Sequence, residues 1–208
     1  MKPYKPRNKK KDSTKAYYMY GRHVVLSALN NKKRQIHNIY CTKKIYNEYE
    51  KQLNNFTVQI VTNDILYKKL GKDVTHQGII AYVNPIFSVS LDDLSLGNNQ
   101  DRILILDQIT DPQNIGSIFR SAAAFGINKA IITDNNTPDE NAIIAKAASG
   151  CLELMQIIKV KNLKSTVDFL KKKQFWVAGL DIAGKDSIKN VTTTKKLALI
   201  IGSEGKGM

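Results

Sequence analysis

RILILDQITDPQNIGSIFRSAAAFG, residues 102–126, reads as a strand, a turn and a helix in immediate succession. The apolar run at its start predicts a buried β-strand. Asp111-Pro112 predicts a rigid turn, and Asn114 falls where an N-cap or an early helical residue would lie. Gly116 and the three alanines that follow predict a helix that packs closely against its neighbours. This order is typical of one half of a β-α-β unit.

The same alternation continues to the end of the chain. Apolar strands separated by helices predict a parallel sheet that is covered on both faces. Ligands of such sheets bind outside the carboxyl ends of the strands, which places a site at the loops after Leu106, Leu180 and Ile201. The further predicted elements are KAIIT (129–133), ENAIIAKAAS (140–149), MQIIKV (155–160), LKSTVDFLKKK (163–173), FWVAGL (175–180) and LALIIG (197–202).

The first part of the chain predicts a smaller α/β unit over residues 17–83. Residues 84–101 lose the periodicity and carry Pro, Gly, Asn and Asp, which predicts a linker before a larger domain at 102–208. Residues 1–16 form a basic tail. The predicted elements are helices 24–31, 45–53 and 63–70, the last with Asn63 as its N-cap, and strands 36–40, 56–61 and 78–83.

The charge balance points to a polyanionic partner. The chain has 32 Lys and Arg against 18 Asp and Glu, a net charge of +14. Such an excess favours nucleic acid as a partner. The basic tail contributes part of this positive charge. The tail could contact RNA phosphates, or it could equally be a solvated extension.

Several classes of protein are disfavoured. No apolar run reaches the roughly 20 residues that span a bilayer, and residues 16–23 are too polar for a signal peptide, so we expect a cytoplasmic protein without membrane contact. The two cysteines, Cys41 and Cys151, and the three histidines, His23, His37 and His76, show no metal-ligand spacing. We therefore expect no metal site and no disulfide.

The glycine-rich stretch GSEGKGM, residues 202–208, does not match a known nucleotide-binding motif. A P-loop would need Gly where Ile200 stands and Ser or Thr where Gly207 stands, and the Rossmann spacing also fails. The stretch is either an ordinary turn or a tight loop whose backbone approaches a ligand, with Glu204 as its carboxylate.

Three successive stretches carry a family resemblance: DPQNIGSIFRSAAAFG (111–126), KAASGCLEL (146–154) and LALIIGSEGKGM (197–208). In this order they resemble the signature motifs of the SpoU (TrmH-like) RNA 2'-O-ribose methyltransferases. Upstream, YGRHVVLSAL (20–29) and THQGIIAYV (75–83) resemble the substrate-binding domain of the 23S rRNA guanosine-2'-O-methyltransferase branch.

The resemblance implies an L30e-like RNA-binding domain followed by a SPOUT-type, Rossmann-like domain with a trefoil knot. It implies S-adenosylmethionine as methyl donor, rRNA or tRNA as substrate and a homodimer. By matching position, the catalytic residues would be Asn114, Arg120 and Glu204. The cofactor would meet Leu180, Gly202, Gly205 and Gly207, and RNA would meet Arg22, His23, His76 and Gln77.

The chemistry of methyl transfer suits these residue types. The 2'-hydroxyl must be placed in line with an activated methyl group, so positioning and charge do most of the work. A guanidinium with a pKa above about 12 is a poor base, so we assign Arg120 to alkoxide stabilisation and RNA-phosphate binding. Spacing alone also allows Asn114 to act only as a cap and Arg120 to face solvent. Glu204 could equally brace the loop, and His76 is interpreted as a structural turn residue.

The chain stops at Met208, before the third family motif, a Ser-Leu-Asn stretch that threads the knot. From this we expect an incomplete knot, weak binding of the methyl donor and a weakened dimer interface. The alternative function is a catalytically defective RNA-binding remnant of such an enzyme. A generic nucleotide-binding domain is disfavoured by the failed P-loop and Rossmann comparisons.

Overall fold

The first part of the chain forms a four-stranded mixed sheet. The computed structural model describes residues 15–88, 90–97, 100–181, 184, 187–191 and 194–202. The strand order is β1-β4-β2-β3, with β4 antiparallel to both neighbours and β2 parallel to β3. The elements are β1 (Tyr17–Tyr20), α1 (Arg22–Asn30), β2 (Ile36–Cys41), α2 (Lys43–Leu53), β3 (Val58–Ile60), α3 (Asn63–Leu70) and β4 (Ile79–Val83).

One predicted cap was wrong. Thr62, not Asn63, is the N-cap of α3, because Thr62 keeps the extended backbone of the preceding strand. Asn63 is already the first helical residue. Strand β1 is an addition to the predicted elements, since four residues of YYMY show no clear alternation of polar and apolar side chains.

The second part forms the predicted parallel sheet. Its five strands lie in the order β7-β6-β5-β9-β8, and every neighbouring pair is parallel. Strand β5 therefore lies at the centre, between β6 and β9. The elements are β5 (Asp101–Leu106), α4 (Pro112–Ala124), β6 (Lys129–Thr133), α5 (Ala142–Ala147), β7 (Gln156–Val160), α6 (Leu163–Lys172), β8 (Trp176–Gly179), α7 (Ile188–Val191) and β9 (Lys196–Ile201).

Both faces of this sheet are covered, as the apolar strands predict. Along β5, Leu104 and Leu106 join one core with Phe119 of α4, whereas Ile103 and Ile105 join a second core with Leu170 of α6. Alternate side chains of a strand point to opposite faces, so one apolar run supplies both cores.

None of the helices among the described residues has the length and apolarity needed to cross a membrane. The helix α4, with 13 residues, falls short of the roughly 20 that a bilayer requires.

The core beneath α4 continues into the first sheet. It includes Met19 of β1 and Val25 of α1 together with Ile144 of α5 and Leu152 of a short 3-10 helix at Cys151–Leu154. The two sheets therefore share one apolar core. Burial of a common core holds them in a fixed arrangement.

A buried ion network crosses the same boundary. The side chain of Arg34, in the turn after α1, is 0% exposed and lies 2.5 Å from Glu140 and 2.6 Å from Glu153. Tyr17 donates a hydrogen bond to Glu140 at 2.7 Å, and Arg34 also donates to the carbonyl of Asn84 at 2.8 Å. Burial acts to lower the pKa of Arg34, but Glu140 and Glu153 outweigh it and hold the pKa above its usual range. Arg34 is therefore charged at every physiological pH.

We expect Arg34→Met to lower the free energy of unfolding by about 3–5 kcal/mol, because two carboxylates would stay buried without a counter-charge. Urea denaturation measures this. Glu48→Gln is the matched control, since Glu48 pairs with Arg22 at the surface and such pairs contribute at most about 1 kcal/mol. An equal decrease in the free energy of unfolding in the two variants would contradict a stabilising role of the buried network between the sheets.

Close packing of α4 on α5 depends on Gly116. A Cβ atom at this position would lie 2.5 Å from the Cβ of Ala147 and 2.6 Å from the carbonyl oxygen of Ile144. Both atoms belong to α5 and one of them is backbone, so the helices would have to move apart. The sequence predicted this role for the glycine, and the packing confirms it.

Gly116→Ala should lower Tm. Overpacking costs about 1–3 kcal/mol, and the better helix propensity of alanine returns at most about 1 kcal/mol. Thermal unfolding followed by circular dichroism checks the shift. Ser121→Ala, at an exposed position of the same helix, should change stability by no more than about 0.5 kcal/mol. A Tm raised by Gly116→Ala would show that the helices are not in contact there.

Candidate active site

The start of α4 is fixed by the turn that the sequence predicts. Asp111 is the N-cap, and its Oδ1 accepts a hydrogen bond from the backbone N–H of Gln113 at 2.8 Å. Pro112 is the first helical residue, where its missing N–H costs nothing. Asn114 is therefore an early helical residue and not the cap, which decides between the two positions that the sequence allowed.

A cavity of about 650 Å³ lies at the carboxyl edge of the parallel sheet. Three loops form it: those after β5, β6 and β9. This is where ligands of parallel α/β sheets bind. Its polar lining comes from amide, hydroxyl and carboxylate side chains and from one glycine: Gln108, Thr110, Asp111, Asn114, Asn136 and Gly202.

Two of these residues have a left-handed backbone. Gln108 has a φ of 56° and Asn136 a φ of 58°, which is uncommon for residues with a side chain. The N–H of Gln108 donates to Oγ1 of the buried Thr133 at 2.9 Å. Residues held in this conformation cluster at ligand sites. Sequence reasoning missed both of them, and the polar run DNN after β6 was the available signal.

The predicted catalytic and cofactor residues are only partly brought together. Asn114 and Gly202 line the same cavity. Arg120 is exposed on α4 and is not among the lining residues. Leu180 follows β8, with its N–H donating to the carbonyl of Ile200, and is also not in the lining. Glu204, Gly205 and Gly207 lie outside the described residues.

The predicted RNA-contacting residues meet at the start of α1. The backbone N–H of Arg22 donates to Oε1 of Gln77 at 2.9 Å, and His23 is exposed beside it. Lys146 of α5 reaches the same place and donates to the carbonyl of Thr75 at 3.3 Å. Burial lowers the pKa of Lys146 from its usual value. The sequence did not single out Lys146, which is far from Gln77 along the chain.

His76 lies behind this group and is buried. Its Nδ1 accepts a hydrogen bond from the N–H of Gly78 at 3.0 Å, so a neutral ring carries its proton on Nε2. Burial lowers the pKa of His76, which favours that neutral form. The geometry agrees with the interpretation of His76 as a turn residue.

The cavity fits the S-adenosylmethionine that the resemblance implies. Cavities of about 300–1,000 Å³ hold ligands of this size. The amides of Gln108, Asn114 and Asn136 offer both donors and acceptors, as a nucleoside requires. Gly202 lets the backbone after β9 approach the ligand without a side chain in between.

Solved methyltransferases share this fold. The SpoU methyltransferase AviRb from Streptomyces viridochromogenes, in complex with AdoMet, superposes with a TM-score of 0.78 at 18% identity, covering 92% of this chain and 75% of AviRb. The AdoMet-bound rRNA methyltransferase from Sinorhizobium meliloti gives a TM-score of 0.76 at 20% identity, covering 95% of this chain and 74% of that protein. They confirm the predicted fold class, a small α/β domain followed by a SPOUT-type parallel sheet. The knot stays a prediction.

Sequence relatives are closer. The 23S rRNA (guanosine-2'-O-)-methyltransferase RlmB of Pasteurella multocida is 33% identical over 200 residues, which cover 91% of this chain and 81% of RlmB. YacO of Bacillus subtilis, assigned to the TrmH family of tRNA/rRNA methyltransferases, is 32% identical over 203 residues, covering 92% of this chain and 80% of YacO.

Two family profiles account for nearly all of the described chain. Residues 18–88 match the substrate-binding profile of RNA 2'-O ribose methyltransferases. Residues 101–208 match the profile of the SpoU rRNA methylase family. The second match contains the central strand β5, the helix α4 and every loop of the cavity. The chain belongs to the SpoU rRNA methylase family.

Proposed function

We propose that this chain transfers a methyl group from S-adenosylmethionine to a ribose 2'-hydroxyl of RNA. The observation that carries the proposal is the cavity at the carboxyl edge of the sheet, which is lined by Asn114 at the start of α4 and by Gly202 after β9. The name of the Pasteurella relative makes a 23S rRNA guanosine the first substrate to test, and that of YacO adds tRNA. We place the enzyme with these RNAs in the cytoplasm.

Within the cavity, the residues that would hold S-adenosylmethionine are Gln108, Asn136 and Gly202. The bound molecule supplies an electrophilic methyl group, so the protein's task is to position the acceptor and to exclude water. Asn114 is the residue placed to orient the ribose. Its backbone is fixed in the first turn of α4, and its carbonyl accepts a hydrogen bond from Ser117 at 2.9 Å.

Arg120 has a different position and hence a different role. A residue six places along a helix lies about 9 Å further along the axis and about 120° around it. Arg120 is exposed at that distance from Asn114, where a guanidinium can bind an RNA phosphate in the bidentate manner of arginine. We assign Arg120 to binding the RNA backbone. The same charge can stabilise the alkoxide only if the ribose approaches from the side of α4 on which Arg120 lies.

The first sheet supplies further RNA contacts. Arg22, His23 and Gln77 form an exposed or half-exposed group at the start of α1, with Lys146 of α5 adjoining. Cationic and amide side chains of this kind bind phosphates and sugar hydroxyls. His76 supports the turn that presents Gln77. RNA held here would be in contact with both sheets.

We also propose a homodimer. A cavity of about 570 Å³ beside α4 has an almost wholly apolar lining, which includes Ile118, Leu197 and Leu199. Phe125, at the end of α4, is 84% exposed next to it. Contiguous apolar surface of this kind marks an interaction site. The resemblance implies a second copy of the chain as its occupant.

We expect Asn114→Ala to reduce methyl transfer about 100-fold, the usual effect of removing one positioned polar group from an active site. The assay follows labelled methyl groups from S-adenosylmethionine into 23S rRNA and tRNA transcripts and maps the modified ribose. Gln113→Ala is the matched control, because its neighbouring side chain is not part of the cavity lining.

If neither RNA acquires a 2'-O-methyl group while the chain still binds both, the proposed enzyme is wrong and the RNA-binding alternative holds. Calorimetric titration of S-adenosylmethionine into the same chain tests the cavity separately. No detectable binding would contradict the assignment of the cavity to S-adenosylmethionine.

Phe125→Glu should convert a dimer into a monomer, because it places a charge on the apolar surface. Sedimentation equilibrium of wild type and variant at the same concentration measures the mass. Ile143→Glu is a suitable control, since Ile143 is an exposed apolar residue on α5 that does not line this cavity. A wild-type chain with the mass of a single copy would rule out the dimer.

A further inference from the structure

The outer face of the first sheet carries tyrosines where its inner face carries the core. Met19, Ala81 and Ile39 point into the core that the two sheets share. Their neighbours in the strands point the other way, and Tyr18 lies directly opposite Tyr82 in the pairing of β1 with β4. Tyr40 of β2 lies on this outer face too, opposite Ile80.

The rings on this face form a continuous row across three strands. The centroid of His37 lies 5.5 Å from that of Tyr82, Tyr82 lies 4.9 Å from Tyr18, and Tyr18 lies 6.3 Å from Tyr40. His37 is exposed, and the three tyrosines are half-buried. We call these four residues the aromatic row. No role in the proposed active site uses any of them.

A cation lies over one end of the row. Nζ of Lys69, in the last turn of α3, is 4.2 Å from the ring centroid of Tyr40 and 5.2 Å from that of Tyr18. It also donates a hydrogen bond to the hydroxyl of Tyr18 at 3.2 Å. The three strands that carry the row, YYMY, IHNIYC and IIAYV, contain no Asp or Glu. The face is thus aromatic and positively charged.

These properties select the partner. Acidic or apolar peptides would suit the charge or the rings alone, whereas a single strand of RNA suits both, because it offers unpaired bases to stack and phosphates for a cation. Duplex RNA keeps its bases stacked inside and cannot use the rings. The chain's net charge of +14 acts in the same direction.

We propose that the aromatic row stacks against unpaired bases of the RNA substrate, with Lys69 close to the backbone phosphate. The proposal rests on the proposed function in one respect only, that the partner is RNA. It implies that the target nucleotide has a single-stranded neighbour, as in a loop or bulge, which contacts the first sheet while the ribose enters the cavity.

Binding of a short, fluorescently labelled oligouridine to the full chain tests the row, with an RNA duplex of the same length for comparison. We expect Tyr82→Ala to weaken binding of the single strand about tenfold, the usual effect of removing one stacking ring. Tyr82→Phe keeps the ring and should bind within about twofold of wild type. Trp176→Ala is the control, since Trp176 is 62% exposed but lies on the other sheet.

His37→Ala provides a second variant that leaves the core intact, because its side chain is exposed, and it should also weaken single-strand binding. Lys69→Gln should lower the salt dependence of binding by about one phosphate contact. Duplex binding should be unchanged by the ring variants. An equal loss on duplex and single strand, or a loss with Tyr82→Ala and His37→Ala no larger than with Trp176→Ala, overturns the proposal.

The outcome is separable from that of the methyl-transfer assay. If binding depends on the rings but no methyl group is transferred, the stacking role of the aromatic row is supported and the proposed methyltransferase activity is wrong. If methyl groups are transferred but the ring variants bind RNA like wild type, the activity is supported and the stacking role is wrong.

Discussion

The placement of Arg34 between Glu140 and Glu153 sets the geometry on which the rest of the molecule depends. All three side chains are almost wholly withdrawn from water, and each carboxylate belongs to the part of the chain that builds the second sheet. A shift that withdrew one of the three groups while the others stayed buried would leave an unpaired charge in a medium of low dielectric, which is far more costly than the loss of a surface pair. The first sheet is therefore held at one angle to the cavity. RNA bound to it would arrive at the cavity in a fixed orientation, and orientation is most of what methyl transfer needs.

The segment between the sheets takes part in this arrangement. The carbonyl of Asn84 accepts from Arg34, the N–H of Ile86 donates to Glu140 at 2.7 Å, and Ser88 exchanges backbone hydrogen bonds with β7 through Ile157 and Lys159. Its composition predicts a linker. The hydrogen bonds show that the first residues of this linker are held against the second sheet and the Arg34 network. A segment tied at these points limits hinge motion, which agrees with a core that runs without interruption from α1 to α4.

How much the sequence could predict depended on whether a feature is local. The strands β5, β6 and β7 are apolar runs and Asp111-Pro112 predicts a turn before α4, so the parallel sheet followed from the chain itself. The sequence left Asn114 as either the N-cap or an early helical residue, and the Asp111 cap decided between them. The left-handed backbone of Gln108 and Asn136 did not follow from the sequence, because Gln and Asn at a strand end are compatible with many loops. The burial of Arg34 could not be predicted either, because Arg34 ends a basic run, KKR, which is typical of a solvent-exposed surface. Its two carboxylate partners are more than a hundred residues away.

The helix α4 separates the two roles proposed for its motif, orientation of the ribose and binding of an RNA phosphate. Its first turn, held by the Asp111 cap, contributes Asn114 to the cavity, and Gly116 one turn further lets the helix approach α5 closely. Beyond that contact Phe119 and Ala122 stay in the core, and Arg120 is exposed on another side of the helix. Since the cap fixes the rotation of the helix, the spacing of six between Asn114 and Arg120 sets their directions about 120° apart. Asn114 accordingly lines the cavity, whereas Arg120 does not. The motif makes physical sense if the ribose bridges the gap, with its hydroxyl towards Asn114 and its phosphate towards Arg120.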